Sequence, residues 1–221
     1  MFQKLKVNKK ILNLINIELL YFSRILLKKK YKNLDEIFLK LSNKDERVLF
    51  DAFNVSLKIY ELLDPIKKFI EKKKKKKLIL WTYPQVRIDI KKKNFFSAPL
   101  HKDQWILSKK DFGYIAWIPI NKKGGSLKFY KGKESKLKIK KNNYWGLEFI
   151  KKNIKTKKQI IHFGEALIFD HNTIHESDTD NQRISVQFRF KEFKKSFKNR
   201  DINQVINSEI KKYWIKNYNA K

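Results

Sequence analysis

The chain holds four histidines, His101, His162, His171 and His175, and two of them stand in patterns that can do chemistry. In His101-Lys102-Asp103, residues i and i+2 of an extended segment project to one side. An imidazole and a carboxylate then reach the same cation while Lys102 points away. The later segment Gly164-Glu-Ala-Leu-Ile-Phe-Asp-His-Asn-Thr-Ile-His175-Glu-Ser supplies a further imidazole. Two imidazoles and one carboxylate bind a divalent metal and leave open positions on it. His171 is the rival for the third position. His162, before the Gly164 turn, reads as a structural strand histidine. There is no cysteine, which excludes disulfides and thiolate chemistry.

A second constellation lies just beyond. Arg183-Ile-Ser-Val-Gln-Phe-Arg-Phe has strand alternation. It puts Arg183, Ser185, Gln187 and Arg189 on one face, with Ile184, Val186, Phe188 and Phe190 on the other. Guanidiniums on a buried strand need an anionic partner, and their planar fork suits a carboxylate. Only six of the 53 basic residues are Arg, so two on one strand argue for guanidinium geometry. The plainer alternative is internal pairing with Asp178, Asp180 or Glu176. Tyr83, Gln85 and Arg87 alternate on another predicted strand and can form a wall. Trp105, Tyr114 and Trp117 are candidate pocket aromatics, although strands also bury such residues as core.

These side chains must be carried by a scaffold, and the sequence divides into two grammars. Up to residue 77 it reads as helical. Leu12, Ile15, Leu19, Phe22, Ile25 and Leu26 recur at helical spacing, as do Leu34, Ile37, Phe38 and Leu41. A third pattern starts near Ser42 and runs through Val48, Leu49, Phe53, Leu57, Tyr60 and Leu63. Pro65 permits a new helical turn. From Leu78 the pattern is strand-like, over 78–90, 114–120, 126–130, 137–139, 159–163, 166–169 and 183–190, with Gly124-Gly125 and Gly164 as turns. Short strands at such spacing suggest a closed sandwich or barrel. The expected architecture is α+β: helices over 1–77, a jelly-roll core over 78–192 and a helical tail over 193–221, with the tail helix at 202–218.

Together the pieces resemble the Fe(II)/2-oxoglutarate-dependent dioxygenases, and most closely their phytanoyl-CoA dioxygenase-like branch. Pro99-Leu-His101-Lys-Asp103 is similar to the branch's metal-binding strand. Gly125-Ser-Leu-Lys-Phe-Tyr-Lys-Gly132 is similar to its Gly-x-Leu turn, although Lys131 replaces a Pro and Glu134 falls near the place of a His. Gly164-Glu-Ala-Leu-Ile-Phe169 with Ile174-His175-Glu-Ser177 resembles its Gly-Asp…His-x-Ser segment. The resemblance spans about residues 78–192 and implies a double-stranded β-helix, cupin-like core. It implies Fe(II) on His101, Asp103 and His175, and the Phe169-to-His175 spacing with Ser177 favours His175 over His171. It implies that Arg183 binds the distal carboxylate of 2-oxoglutarate with help from Ser185 and Gln85. Arg189, Arg87, Trp105 and Trp117 then face the substrate. The implied reaction consumes O2 and 2-oxoglutarate, releases succinate and CO2, and hydroxylates a small metabolite. One departure is the short connection from His175 to Arg183, which makes Arg189 the alternative carboxylate partner. Arg183-x-Ser-x-Gln-x-Arg189 also resembles the Arg-x-Asn-x-Thr-x-Arg strand of nucleic-acid alkylation-repair dioxygenases.

Composition bounds the rest. The 221 residues carry 42% hydrophobic and 14% aromatic side chains, enough for a core, and a net charge of +31. Such a field attracts anions, and an anionic or carbohydrate-related small molecule fits it. The Lys excess also matches a coding bias. The six consecutive lysines Lys72–Lys77 read as a solvated loop or helix end. No apolar run reaches the length of a membrane span, and the basic start reads as an amphipathic helix and not a signal peptide. A cytoplasmic enzyme without specific nucleic-acid binding is expected. The alternatives are a nucleic-acid-demethylating dioxygenase and a non-catalytic anion-binding β-sandwich.

Overall fold

The computed structural model describes residues 2–39, 41–54, 56–81, 84–90, 98–103, 112–143, 146–178 and 182–193. A helical layer comes first in the chain. α1 (Lys9–Leu27) starts at Asn8, whose side chain accepts the Lys10 N–H. α2 (Asn43–Phe53) starts at a capping box made by Ser42 and Asp45. α3 (Leu63–Lys74) has Pro65 in its first turn and ends in a left-handed Lys75. Short 3-10 turns at Leu34–Leu39 and Leu57–Leu62 join the helices. The pattern beginning at Ser42 was expected to run on to Leu63, but α2 stops at Phe53. Asn54 explains the break: its side chain donates to the Phe50 carbonyl and accepts the Val86 N–H at 2.8 Å.

Two antiparallel sheets follow. The first is built from β1 (Gln3–Lys6), β2 (Leu78–Leu80), β3 (Gln85–Asp89), β5 (Gly113–Pro119), β10 (Glu165–Asp170) and β12 (Arg183–Glu192). Its order is β1-β10-β5-β12-β2, with β3 also paired to β12. The second sheet contains β4 (His101–Lys102), β6 (Gly125–Tyr130), β7 (Ile139–Asn143), β8 (Gly146–Phe149), β9 (Thr156–Ile161) and β11 (His175–Ser177). Its order is β7-β8-β4-β11-β6-β9. The α+β fold with a jelly-roll core is thus the observed one.

Several elements differ from expectation. Residues 3–6 form an edge strand on β10 and not a lead-in to a helix. Their lysines face out, as edge strands favour. The strand expected at 137–139 begins only at Ile139, because residues 134–136 take a 3-10 turn. β8 was not foreseen. The tail helix expected at 202–218 lies outside the described residues.

Alternation decides where the polar residues go. Ile184, Val186, Phe188 and Phe190 of β12 pack on the helices, with Val86, Ile88, Ala116 and Ile118 and with Leu12, Ile15, Phe53 and Ile66. The opposite faces of these strands meet the second sheet. One half of that interior is apolar, around Trp117, Leu127, Phe129, Leu167 and Phe169. The other half receives Arg87, Asp89, Arg183, Ser185, Gln187 and Arg189, all at most 7% exposed.

Candidate active site

The register of the second sheet places His175 of β11 opposite His101 of β4. Their rings lie 4.4 Å apart at the centroids. Asp103, one residue beyond β4, brings its Oδ2 to 3.5 Å from His175 Nε2. One ligand atom from each of His101, Asp103 and His175 lies within 4.8 Å of the other two, and all three residues are buried. Lys102 points away, as alternation requires, and pairs with Glu134.

Both imidazoles are oriented by the same device. His101 Nδ1 lies 2.8 Å from the Pro99 carbonyl, and His175 Nδ1 lies 2.9 Å from the Thr173 carbonyl. A carbonyl only accepts, so each Nδ1 carries the hydrogen and each Nε2 presents a lone pair. Burial, and then the neighbouring His175, lower the His101 pKa to about 3. Burial likewise lowers that of His175. Burial pushes Asp103 up, but Arg189, His175 and His101 outweigh it and hold the carboxyl below its ordinary value. Neutral imidazoles beside an ionised carboxylate are the states that ligate a metal. The donor set fits a divalent ion of the kind held by two histidines and a carboxylate.

Arg189 lies against this cluster. Its Nη2 is 3.4 Å from Asp103 Oδ1 and donates to Gln187 Oε1 at 2.8 Å, while Nη1 donates to Gln85 Oε1 at 2.5 Å. Gln85, grouped from sequence with Arg183, therefore serves Arg189. Arg183 sits six positions earlier on β12, so the Cα atoms of the two arginines are roughly 20 Å apart along the strand at ~3.3 Å per residue. Its Nη2 meets Asp89 Oδ2 at 3.0 Å, and Nη1 donates to the Asp178 carbonyl at 3.1 Å. Burial lowers the Arg183 pKa, countered by Asp89. Of the internal partners considered from sequence, Asp178 takes part among the described residues, accepting through its backbone carbonyl. Glu176 faces the other way, to Lys151 and Thr156. Asp180 lies outside the described residues.

Between the two arginines runs a polar chain. Ser177 Oγ donates to Asp89 Oδ1 at 3.1 Å and accepts the Ala98 N–H at 3.0 Å. Arg87 Nη2 is 3.6 Å from Asp89 Oδ1. The Arg183 guanidinium lies 5.4 Å from the Trp117 ring centroid. Beside it, Ser185 Oγ and Trp117 Nε1 are buried with no hydrogen-bond partner among the described residues. Two orphaned polar groups next to a guanidinium fit an acceptor such as a carboxylate. Gly125 makes the seat possible: a Cβ there would lie 2.8 Å from the Trp117 ring and 2.9 Å from Arg183 Cδ.

The structure thus brings His101, Asp103 and His175 together, with Arg189 and Gln85 beside them and Arg87, Ser185 and Trp117 toward Arg183. Trp105 and Tyr83 lie outside the described residues. His162 is exposed at the end of β9 and is no buried strand histidine. His171 is buried but belongs to the turn after β10, where its Nδ1 lies 3.1 Å from the Gly113 nitrogen and 3.2 Å from the Gly113 carbonyl oxygen. Sequence reading missed Asp89, although it follows Gln85 and Arg87 in the same alternation. It also missed the role of Ser177 as a link to Asp89.

No protein-family model matches the sequence, and no curated protein matches it. Among solved structures, the chain is similar to a non-haem monooxygenase, ThoJ in its apo form. The TM-score is 0.52 at 11% identity, covering 85% of this chain and 71% of that one. EvdO2 from Micromonospora carbonacea var. aurantiaca, complexed with 2-oxoglutarate, gives a TM-score of 0.40 at 12% identity, covering 68% and 65%. The likeness to ThoJ is one of fold.

Proposed function

We propose that the chain is an Fe(II)- and 2-oxoglutarate-dependent oxygenase that hydroxylates a small molecule. The observation that carries this reading is the buried cluster of His101, Asp103 and His175, with both Nδ1 atoms held at backbone carbonyls and one ligand atom of each residue within 4.8 Å of the other two. The fold shared with a non-haem monooxygenase agrees with it. Placement in the phytanoyl-CoA dioxygenase-like branch rests on the sequence motifs.

In this reading His101, Asp103 and His175 hold Fe(II). When bound, the iron supplies O2 activation coupled to conversion of 2-oxoglutarate to succinate and CO2. The protein's part is positional. Arg183, Ser185 and Trp117 receive the far carboxylate of 2-oxoglutarate, and Arg87 balances Asp89 along the way. Arg189, braced by Gln85 and Gln187, orients Asp103 and keeps it ionised. Residues 78–192, joined by the edge strand Gln3–Lys6, form the oxygenase core, and the helices between residues 9 and 74 are its support.

Anaerobic reconstitution tests the reading. The wild-type chain should take up Fe(II) in equimolar amount and then form succinate from 2-oxoglutarate in air. Asp103→Ala should lose most of the iron, whereas His171→Ala should keep it. Unchanged iron in Asp103→Ala would refute the assignment.

A further inference from the structure

α1 carries two apolar faces. Leu12, Ile15, Leu19 and Ser23 are buried in the packing of the helical layer. Leu14, Ile17, Tyr21 and Ile25 are between 46% and 64% exposed. At about 100° per residue these four fall within ~80° of one another, on a stripe centred about 160° from the buried set. One apolar face is enough to fix a helix to its domain, so the second is free for another use. The stripe runs roughly 17 Å along the axis at ~1.5 Å per residue. It widens on one flank. Glu18 accepts the Ser56 hydroxyl, which brings the 3-10 turn Leu57–Leu62 against α1. Leu57, the residue after Ser56, is 78% exposed, and Tyr60 is exposed as well. Single exposed apolar residues are ordinary, but a contiguous group marks an interaction surface.

The charges around the stripe have one sign. Lys10 lies in line with it at the start of the helix, and Lys28, Lys29 and Lys30 follow its end; all four are exposed. Glu18 is the single acidic residue of α1, and Ser56 engages it. A second copy fits this pattern poorly. An antiparallel pair of α1 helices sets Lys10 against Lys28–Lys30, and a parallel pair sets each cluster against itself, so like charges meet either way. An anionic bilayer surface fits it well. The apolar side chains enter the boundary between headgroups and acyl chains, and the ammoniums at both ends meet lipid phosphates and carboxylates. Tyr21 and Tyr60 add phenols, which favour the headgroup level.

We propose that the exposed face of α1 docks the chain on anionic lipid bilayers as a peripheral protein. The helix lies flat in the headgroup region, with Leu14, Ile17, Tyr21 and Ile25 inserted and Leu57 beside them. The helical layer packs on the face of the first sheet opposite the interior that holds His101, Asp103 and His175. Docking and the metal-holding cluster therefore use opposite sides of that sheet, and the surface does not depend on the oxygenase reading.

The chain has no cysteine, so a single introduced one carries a probe at a known place. Full-length Ile17→Cys and Ile160→Cys, each labelled with nitrobenzoxadiazole, are mixed with phosphatidylcholine vesicles with or without about 30 mol% phosphatidylserine, at ~0.15 M salt. Ile160 is the control: it is exposed on β9, on the lysine-bearing outer face of the second sheet. The probe at residue 17 should brighten and shift to the blue on the anionic vesicles, and the probe at residue 160 should not. In vesicle sedimentation, Ile17→Ser/Tyr21→Ser should partition at least about tenfold more weakly than the wild type, with an unchanged circular dichroism spectrum. The labelled chains decide the matter if the double variant misfolds. Four outcomes overturn the proposal. They are no sedimentation with anionic vesicles, a probe at residue 17 that stays in water while the chain sediments, a response at residue 160 in its place, and equal partitioning of a folded double variant. A wild-type dimer in light scattering that the double variant abolishes also overturns it, and assigns the stripe to a second copy.

Discussion

Asp89 and Asp103 each keep a guanidinium company inside the sheets, and each is expensive to remove. Asp89→Ala leaves Arg183 and Arg87 facing one another without their shared carboxylate. The expected loss is about 3–5 kcal/mol of folding stability, as for a broken buried pair, read from urea unfolding. Arg183→Lys keeps the charge but loses the two-pronged geometry. The dissociation constant for 2-oxoglutarate should rise about ten- to a hundredfold, the worth of a charge-assisted contact, with a smaller rise in Arg189→Lys. The reverse order would transfer the co-substrate role to Arg189. Acid should act through the histidines. The metal-free chain holds His101 at about 3 against an ordinary 6.5. Unfolding lets the ring take a proton below 6.5, so its contribution is complete above that pH and declines between 6.5 and 3. The slope is at most about 1.4 kcal/mol per pH unit. Unfolding midpoints at pH 7 and pH 5 check this, and His101→Asn should flatten the difference.

Among the elements, β12 and β6 set the geometry of the arginine seat. Gly125→Ala puts a methyl against the Trp117 ring and Arg183 Cδ. It should cost roughly 1–3 kcal/mol as overpacking and weaken 2-oxoglutarate binding measured by calorimetry, more than Ser126→Ala on the opposite face. The contents of β12 were legible in the sequence because alternation is a local property: the apolar set meets the helices and the polar set meets the interior. His101 and Asp103 were legible for the same reason. What was not legible depends on pairing between distant segments. Asp89 meets Arg183 only because β3 and β12 align them as partners. β1, β4 and β11 have four, two and three residues, too few for periodicity to show.

Over the whole molecule, charge is distributed by layer. The helices pack on the first sheet, and the outer face of the second carries lysine–carboxylate pairs, including Lys128 and Lys158 on Asp178 and Lys151 on Glu176. With 53 basic and 22 acidic residues, most lysines have no such partner to share. Lys72–Lys74 end α3, where cations suit the helix terminus. Replacing the six with Gln should lower heparin retention and its salt dependence. Fe(II) uptake should remain equimolar, and 2-oxoglutarate turnover should change by less than about tenfold, or ~1.4 kcal/mol in barrier. The alternation of β12 has one more consequence. A slip of one residue would exchange its arginines for its phenylalanines, pushing guanidiniums toward the helices and rings into the polar interior. In the proposed reading, co-substrate binding then works as a proofreading signal, because only molecules threaded in the correct frame can register it. With 2-oxoglutarate seated on Arg183 as proposed, the fraction of a preparation that binds it should report the correctly paired chains.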